Sequence, residues 1–481
     1  MTLHSILNPE IKKVLRRSER TSLHYDRYSY HHNIKFSYSK SIHLSTRILC
    51  LLFFAMYDAI VVGLGGVGSM ALRGLARQER SGKFLGIEAY TLLHPHGSSH
   101  GKTRIYRRAY FEHPNYVPWI DQSIRVFREM ENEHDDSFIQ ECGTVIIEQS
   151  QNPTSSDPAH FPKYCQASYQ SAKRHKIPVE FLNSSALKDR LPQFRLEPHN
   201  KDMVGLLEPS GGFVRCQKVM AAALREAKQA SHVEIMEQTR VMSLGCIPSD
   251  KGGKCTIELR VQTANEKEPV VLTTKCLLVS AGAWTGQIFP SWAPYLRPSR
   301  QFAAWIPVER KPELYSYQKM PTFVILPPKY HLPLYGFPFD DDDEDGFHKQ
   351  IKIGIHGRDD FISNPSANPK QVSAIEQSEF LHAVQHAFDF DQLHQRGEDS
   401  SLITPDHAFT EIQTCMYTMT PDTHFMLGTP AGHDQIFCVA GLSGHGYKQA
   451  PALGQMMVDY ALGNDMSHWK LDFCDPKRFC V

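Results

Sequence analysis

The residues of this chain that could do chemistry lie in three short segments. Residues 97–108 read Gly-Ser-Ser-His-Gly-Lys-Thr-Arg-Ile-Tyr-Arg-Arg and combine glycines with several cations. Residues 415–424 begin with a single cysteine, Cys415, and residues 441–448 form a glycine-rich stretch that ends in Lys448. Arginine and lysine side chains can hold a phosphate or a carboxylate by charge-assisted hydrogen bonds. By spacing alone, however, residues 97–108 could equally be a solvated surface loop.

A glycine-rich turn precedes these segments. The apolar run 57–62 predicts a strand buried on both faces of a parallel sheet. Gly63, Gly65 and Gly68 follow it directly, and they allow a tight turn and a close backbone approach to a pyrophosphate. That pyrophosphate would lie at the N-terminus of a helix predicted over residues 67–78.

A second predicted strand completes the pattern. Residues 84–87 are followed directly by Glu88. An acidic residue at this position accepts hydrogen bonds from ribose hydroxyls. Together these elements predict a dinucleotide-binding site, which could hold either FAD or NAD. The simpler alternative is a glycine turn in an ordinary α/β unit that binds no dinucleotide. Residues 97–108 follow within a few positions, and ligands bind beyond the carboxyl ends of parallel strands. With Cys415 and residues 441–448, the pattern indicates a flavoprotein closed around its cofactor.

These motifs resemble one known family. Residues 63–68, 97–107, 415–422 and 441–448 are similar to the monomeric sarcosine oxidase family, which includes pipecolate and N-methyltryptophan oxidases. The similarity runs in order over residues 57–460. It implies an FAD enzyme that oxidises secondary or tertiary amino acids with dioxygen and releases an imine and hydrogen peroxide.

The resemblance also implies roles for individual residues. Cys415 matches the cysteine that forms a thioether to the flavin 8α carbon, and Lys352 matches a lysine over the flavin face where oxygen is activated. Arg107 and Lys448 match the pair that binds the substrate carboxylate. Without the resemblance, Cys415 would be interpreted as a buried structural cysteine, and Lys352 as a surface residue with a buried apolar stem.

Further implied site residues line the substrate pocket and the flavin. Tyr335 and His356 match pocket residues, and His100 and Arg104 match residues close to the flavin ring; with Lys352 they are the candidate catalytic residues. The alternatives are satisfied core residues for Tyr335 and His356, and anchoring of the loop backbone for His100 and Arg104. The implied cofactor-binding residues are Gly63, Gly65, Gly68, Glu88, Ser99, Arg104, Val241, Cys415, Gly444, Gly446 and Lys448. No metal-binding pattern is present in the sequence.

One segment departs from the family pattern and leaves the substrate open. Residues 340–345 are all acidic, and such a run is usually a solvated loop. Because it joins two strands expected to face the substrate, it could alternatively repel anionic substrates or attract cationic ones. We expect a secondary amino acid such as sarcosine or pipecolate, with a larger N-substituted amino acid, saccharopine-like or fructosyl, as the alternative.

Two different classes of protein also stay open at the level of sequence. An NAD(P)-linked dehydrogenase would use the same glycine turn, but it leaves Cys415 and residues 441–448 unexplained. A flavin-binding sensor without turnover would account for the cofactor, but it has no need of a carboxylate-binding pair such as Arg107 and Lys448. The sequence therefore favours the oxidase over both.

Composition narrows the class of partner. Among 481 residues, Lys and Arg together number 52, as do Asp and Glu, so no overall field favours nucleic acid or an anionic membrane. The 11 cysteines are spread singly, which predicts reduced intracellular thiols and no disulfide framework. We expect a small amino acid and dioxygen as partners, no stable membrane span, and a monomer.

The first 55 residues do not fit this plan. They are basic, and the apolar run 48–56 is too short to span a bilayer. They could be a signal peptide or a mitochondrial presequence, but we favour a disordered extension or an incorrectly assigned start before Met56. The C-terminal residues 479–481 are not of the usual peroxisomal type. The expected location is intracellular, cytoplasmic or peroxisomal, with mitochondria as the alternative if residues 1–55 belong to the protein; the C-terminal residues do not support the peroxisome.

The predicted fold is α/β, with two interleaved domains. A Rossmann-like FAD-binding domain is expected over residues 56–138, 203–295 and 410–481. A substrate domain on a mainly antiparallel sheet is expected over 139–202 and 296–409, because strand-like runs near 323–326 and 351–355 suit such a sheet. A helix is expected within residues 371–390.

Covalent attachment through Cys415 is directly testable. Because a thioether survives denaturation, acid-precipitated protein should stay yellow, whereas Cys415→Ala should give a colourless pellet. The measurement is the flavin absorbance of the washed pellet. A colourless pellet from flavin-loaded unmodified protein would contradict the attachment.

Overall fold

The computed structural model describes residues 56–78, 82–195, 202–248, 255–326, 333–340, 349–389, 393 and 404–479. The extension predicted over residues 1–55 lies outside the described residues, as does the acidic loop after Asp340. The described residues from 56 onward belong to a single compact unit. Among them, no helix combines the length and the apolar character that crossing a membrane requires.

The strands within the described residues form three sheets. In chain order they are β1 Met56–Val62, β2 Phe84–Ile87, β3 Thr103–Tyr106, β4 Ile139–Glu141, β5 Thr144–Gln149, β6 Glu180–Leu182, β7 Met203–Glu208, β8 Gly212–Arg215, β9 Val233–Met236, β10 Thr239–Ile247, β11 Thr256–Thr263, β12 Val270–Val279, β13 Arg297–Pro307, β14 Thr322–Leu326, β15 Leu334–Phe337, β16 Gln350–Ile355, β17 Glu411–Met419, β18 Met426–Gly428 and β19 Ile436–Ala440.

The α-helices lie on the faces and edges of these sheets. In chain order, those within the described residues are α1 Gly66–Ala76, α2 Val117–His134, α3 Lys163–His175, α4 Ser184–Arg190, α5 Cys216–Gln229, α6 Thr285–Ile288, α7 Ala374–Ala387, α8 Pro405–Ala408 and α9 Ala450–Leu462.

The first sheet is the predicted nucleotide-binding sheet. Its strands run in the order β10-β11-β12-β1-β2-β9, with β19 beside β12 and β18 beside β19. β1 pairs in parallel with β2 and β12, and β12 with β19. Residues 59–62 of β1 are between 0% and 6% exposed, as a strand covered on both faces requires. The strands predicted at 57–62 and 84–87, and the helix between them, are confirmed.

Three helices cover one face of this sheet. α1 packs against both α5 and α9, and its apolar residues join one hydrophobic cluster with those helices. The contact with α9 is close at Gly454, where a Cβ atom would lie 2.8 Å from the backbone nitrogen of Ala71. The absence of a side chain at Gly454 therefore lets two helices approach each other above the glycine turn.

The second sheet is mainly antiparallel, as predicted. Its order is β17-β13-β16-β15-β14-β5-β7-β6, and among these pairs only β14 and β5 run parallel. The helix α7 falls within the predicted range and begins at a capping box, in which Ser373 and Glu376 satisfy each other's backbone N–H groups. β7 and β17 lie in ranges that we expected in the FAD-binding domain, yet they pair in this sheet.

A small third sheet, β3-β8-β4, contributes an anchor for the acidic segment. Arg215, at the end of β8, is 4% exposed. Its guanidinium donates to both carboxylate oxygens of Asp340 at 2.6 Å and to the hydroxyl of Ser137. The first acid of the run 340–345 is therefore paired with a buried arginine and is not a solvated charge.

The prediction that all cysteines stay unpaired is wrong for one pair. Cys246 and Cys255 form a disulfide, with their Cα atoms 6.0 Å apart, a separation that this bond ordinarily spans. Cys246 lies in β10, and Cys255 immediately precedes the antiparallel neighbour β11. Only the hairpin register brings the two sulfurs together, so their spacing in the sequence carries no signal.

Candidate functional site

A large cavity opens where parallel strands of the first sheet end. It encloses about 1800 Å³ of empty space, part of it open to solvent. β1, β2, β12 and β19 all run into residues that line it. The principal lining segments are 62–67, 87–90, 97–100, 239–244, 280–284, 416–418 and 439–444. This is the edge at which α/β sheets bind ligands, and the cavity gathers the glycine turn, the cationic loop and the cysteine strand.

The glycine turn has no room for side chains at two of its glycines. Gly63 has a φ of +86°, and a Cβ atom there would lie 2.6 Å from the carbonyl oxygen of Ser280. A Cβ atom on Gly68 would overlap the carbonyl oxygen of Gly63. The backbone N–H of Gly66 donates to the Ser99 hydroxyl at 3.0 Å. The turn therefore presents bare backbone at the N-terminus of α1, as a pyrophosphate group needs.

The acidic residue after β2 lies in the same wall. Glu88 is 5% exposed, and its carboxylate accepts hydrogen bonds from the backbone N–H groups of Leu64, at 2.9 Å, and Tyr90, at 3.1 Å. These bonds hold the carboxylate at the end of the strand, beside the turn. Gly65 and Val241 line the same cavity. The donor set and the cradle together fit the dinucleotide that the sequence predicted.

The cationic loop is anchored by its own side chains. Arg104 donates to the carbonyl oxygens of Thr103 at 2.8 Å, Ser98 at 2.9 Å and His100 at 2.5 Å. The Nδ1 atom of His100 lies 2.8 Å from the carbonyl oxygen of Gly97. Burial, with the neighbouring Arg104, lowers the pKa of His100 to about 4, so its ring is neutral near pH 7. His100 and Arg104 therefore anchor the loop backbone, which was the alternative role, and both also line the cavity.

Lys352 is buried on β16 and is held by backbone and aromatic groups. Its ammonium donates to the carbonyl oxygen of Thr103 at 3.1 Å and lies about 5 Å from the ring centres of Trp305 and Phe337. Burial, and secondarily Arg104, lowers the pKa of Lys352 to about 7. The interpretation of Lys352 as a surface residue is wrong, because the residue is only 6% exposed.

Cys415 lies on β17, next to residues 416–418 of the cavity wall. Its side chain is partly buried. Burial raises the pKa of its thiol, while the charges of Arg104, Lys352 and Lys370 act in the opposite direction. The charges of three cations therefore act on the thiol, which precedes the cavity-lining residues 416–418 on the same strand.

Two tyrosines and a histidine connect the cavity to the second sheet. The hydroxyl of Tyr417 hydrogen-bonds to Tyr335 and lies 3.3 Å from the Nδ1 atom of His356. Burial lowers the pKa of His356 to about 4 and raises that of Tyr335 to about 12, so both are uncharged near pH 7. The ring of Tyr417 packs over Gly444, where a Cβ atom would clash with it. Gly446 also lines the cavity.

Arg107 and Lys448, far apart in the sequence, meet in one buried cluster. Arg107 donates to both carboxylate oxygens of Glu112, at 2.9 and 2.7 Å. Lys448 donates to the hydroxyl of Tyr110 at 3.2 Å and to the carbonyl oxygen of His445 at 2.7 Å. The two cations are only 4% and 7% exposed. Both influence the pKa of His356, as does Glu112, so this cluster borders the tyrosine–histidine group.

Glu112 is a residue of this cluster that the sequence did not predict. Burial raises its pKa, but the charges of Arg107, His445 and Lys448 outweigh this and hold the value near 2. It therefore remains ionised between the two cations, and its charge raises the pKa of Lys448. The only signal in the sequence was an acid five positions after Arg107, which no motif singles out.

Comparison with known proteins identifies the family. The chain matches the profile described as "DAO: FAD dependent oxidoreductase" over residues 58–460. It is 29% identical to the monomeric sarcosine oxidase of Streptomyces avermitilis, over 88% of this chain and 98% of the relative. It is 28% identical to the N-methyl-L-tryptophan oxidase of Citrobacter koseri, over 86% and 98% of the two chains.

Solved structures share the fold. NikD, described as an unusual amino acid oxidase, superposes with a TM-score of 0.68 at 17% identity, covering 88% of this chain and 97% of its own. The L-proline dehydrogenase of P. horikoshii gives a TM-score of 0.66 at 17% identity, with coverages of 88% and 98%.

The chain belongs to the FAD dependent oxidoreductase family, and its cofactor is FAD. The family resemblance, the fold class and the oxidoreductase assignment made from the sequence are confirmed. The NAD(P)-linked dehydrogenase and the sensor without turnover are set aside by the same match.

The ionised state of Glu112 predicts a specific response to acid. Since its pKa is lowered to about 2 from an ordinary 4.5, the stability it contributes is present above pH 4.5 and is lost as pH falls towards 2. We expect Glu112→Gln to flatten the fall of the unfolding temperature with pH in that range. The missing contribution should be about 3 kcal/mol.

The measurement is thermal unfolding between pH 2 and 7 on preparations with equal flavin content. Glu129→Gln serves as the control, because that carboxylate is 54% exposed and forms only a long surface ion pair with Arg77. Parallel curves for Glu112→Gln and the unmodified protein would show that Glu112 is not the group lost to acid.

Proposed function

We propose that this protein is an oxidase of secondary amino acids, N-methylated or cyclic, such as sarcosine or pipecolate. The products are an imine, which hydrolyses in water, and hydrogen peroxide. The relatives named as sarcosine and N-methyltryptophan oxidases support the class of substrate. Binding of FAD by the glycine turn, Glu88 and the segments around the cavity is part of the same proposal.

The observation that carries the proposal is the buried pair of cations. Arg107 and Lys448 converge from segments at opposite ends of the chain, beside the uncharged group of Tyr335, His356 and Tyr417. Two cations are well suited to a single carboxylate, since each can donate charge-assisted hydrogen bonds to it. Glu112 already occupies Arg107, so a substrate carboxylate would share or replace that contact.

The substrate would then be oriented by its carboxylate. FAD, when bound, would supply the acceptor for a hydride equivalent from the carbon next to the amine nitrogen and the route of the electrons to dioxygen. Anchoring the carboxylate at Arg107 and Lys448 would hold that carbon in one orientation, and orientation is a large part of catalysis. Because His356 is uncharged, this residue does not repel a positive amine. A substrate that binds as the free amine needs no strong base.

Lys352 is the proposed residue for dioxygen. Its buried ammonium projects from β16 near Arg104 and Cys415. A preorganised charge stabilises an anion that develops on oxygen better than water does, because it needs no reorganisation. Two rings and one backbone carbonyl hold the side chain in place.

Covalent attachment of FAD through Cys415 remains part of the proposal. Its support is the position of the thiol on β17, directly before cavity-lining residues 416–418, and the three cations around it. The division into an FAD-binding domain and a substrate domain is likewise proposed. Two large sheets support this division. In the proposed division, β7 and β17 belong to the substrate domain, because they pair in the second sheet.

The substrate prediction can be tested with a panel of amines. Sarcosine, other N-methyl amino acids, proline and pipecolate should be oxidised, whereas methylamines without a carboxylate should not. Arg107→Met should lower kcat/KM by about ten- to a hundredfold, because one charged partner of the carboxylate is lost. Peroxide release under steady-state conditions is the measurement.

Arg108→Met is the matched control for this experiment. Its guanidinium forms a partly buried ion pair with Asp121 and is outside the cluster. It should leave kcat/KM near that of the unmodified protein. Rapid oxidation of an amine without a carboxylate, unaffected by Arg107→Met, would disprove the proposed binding mode.

The role of Lys352 predicts a selective defect. Lys352→Met should slow the reaction with dioxygen by about 10²–10³-fold while anaerobic bleaching of the flavin by substrate changes little. Stopped-flow absorbance separates the two half-reactions. Lys275→Met, at a lysine with 60% of its side chain exposed, is the control. Equal slowing of both half-reactions would mean that Lys352 shapes the site and does not act on oxygen.

A further inference from the structure

Tyr110 lies at the centre of the cluster that holds Lys448. Its hydroxyl oxygen is 3.2 Å from the ammonium of Lys448, 3.1 Å from the side-chain nitrogen of Gln449 and 2.6 Å from Nδ1 of His445. The guanidinium of Arg107 lies 4.7 Å from the centre of its ring, and the Lys448 ammonium 5.0 Å. Tyr110 therefore contacts both cations of the proposed carboxylate site while being only 1% exposed.

The direction of each hydrogen bond follows from the groups present. The nitrogens of Lys448 and Gln449 can only donate, so the Tyr110 oxygen accepts from both. Its single proton then has two acceptors within reach, Nδ1 of His445 at 2.6 Å and the carbonyl oxygen of His445 at 3.2 Å, and the shorter contact favours Nδ1. This assignment requires the other ring nitrogen to carry the proton of a neutral imidazole. That nitrogen, Nε2, lies 3.1 Å from the carbonyl oxygen of Thr423, a group that can only accept. The Nε2 proton therefore goes to Thr423, which leaves Nδ1 of His445 to accept from Tyr110.

Burial agrees with this assignment. It lowers the pKa of His445 to about 3, so the imidazole stays neutral at ordinary pH. A neutral His445 can accept the Tyr110 proton, whereas a charged one would be a third donor to the Tyr110 oxygen and would compete with Lys448 for its lone pairs. The carbonyl oxygen of His445 also accepts from Lys448 at 2.7 Å.

The ammonium of Lys448 consequently has a fixed orientation. Among the described residues, its hydrogen-bond acceptors are the Tyr110 hydroxyl and the His445 carbonyl oxygen. An ammonium group carries three N–H bonds, so one is left for a ligand. The two held bonds determine the direction of the third.

We propose that Tyr110 is a positioning residue, whose hydroxyl, with His445 behind it, aims the remaining N–H of Lys448 at the substrate carboxylate. This inference rests on the proposed function, because the carboxylate is that of the amino-acid substrate. Tyr110 itself need not touch the substrate, and its effect passes through Lys448.

The charges near Lys448 determine how removal of the Tyr110 hydroxyl should change the pKa of that lysine. Burial lowers the pKa of Lys448 to about 7, Glu112 opposes that decrease, and Arg107 adds to it. His445 and His356 are the other titratable groups at this site, and both are neutral near pH 7. Without the Tyr110 hydroxyl, the charged ammonium loses an acceptor, so the pKa of Lys448 should fall further. A carboxylate ligand that requires the charge should then be lost at lower pH.

Tyr110→Phe is the test, because it keeps the ring that both cations face and removes only the hydroxyl. Acetate is the probe, and its binding to the FAD-loaded protein is measured between pH 5.5 and 9 by the change in flavin absorbance. We expect the acetate Kd at pH 6 to rise about tenfold. The midpoint of the alkaline loss of binding should move to lower pH, and KM for the amino acid should rise more than kcat falls.

Tyr116→Phe is the matched control. Its ring packs 5.1 Å from that of Tyr110, but its hydroxyl accepts from the backbone N–H of Phe425, away from Lys448. It should bind acetate with the affinity and pH midpoint of the unmodified protein. Equal shifts in both variants, or no shift in Tyr110→Phe, would overturn the positioning role.

The experiments distinguish failure of the proposed oxidase function from failure of the positioning role of Tyr110. If the oxidase function fails, the unmodified protein would oxidise no amino acid of the panel, while acetate binding would still depend on the Tyr110 hydroxyl. Conversely, an active oxidase in which Tyr110→Phe behaves as the unmodified protein would retain the function and remove Tyr110 from it.

Discussion

Burial of positive charge is the constraint on which the site depends. Arg107, Lys352 and Lys448 are each less than 8% exposed, and a charge taken out of water is costly unless other groups hold it. Each cation has a different partner: a carboxylate for Arg107, a carbonyl and two rings for Lys352, and a hydroxyl and a carbonyl for Lys448. These partners come from several elements, so the fold must assemble before the charges are tolerated.

The two large sheets share this task. The first presents four parallel strand ends and a glycine turn without side chains, which suits the anionic end of a dinucleotide. The second carries Lys352 on β16 and Cys415 and Tyr417 on β17, and Tyr417 lines the same cavity. Tyr417 packs closely over Gly444 and so connects β17 of the second sheet to the glycine-rich loop 441–448, which follows β19 of the first sheet. A larger residue at that glycine would separate the groups that the proposed chemistry needs together.

The hydrogen-bonded histidines set the charge of the pocket. Burial keeps His100, His356 and His445 neutral near pH 7. Positive charge is thereby concentrated on the arginines and lysines, and Glu112 offsets part of it beside Arg107 and Lys448. A site with this balance can accept a carboxylate without also repelling a nearby amine.

The sequence alone determined the glycine turn, β1, β2, Glu88 and the family, because local periodicity and fixed spacing encode a strand–turn–helix unit. It also indicated Arg107 and Lys448, through resemblance. Only the tertiary structure revealed Glu112 and Tyr110 between them, the assignment of β7 and β17 to the second sheet, and the Cys246–Cys255 pair. The reason is physical. These features depend on strand pairing and on contacts between segments as far apart as Tyr110 and Lys448, 338 positions, and such pairing leaves no local pattern in the chain.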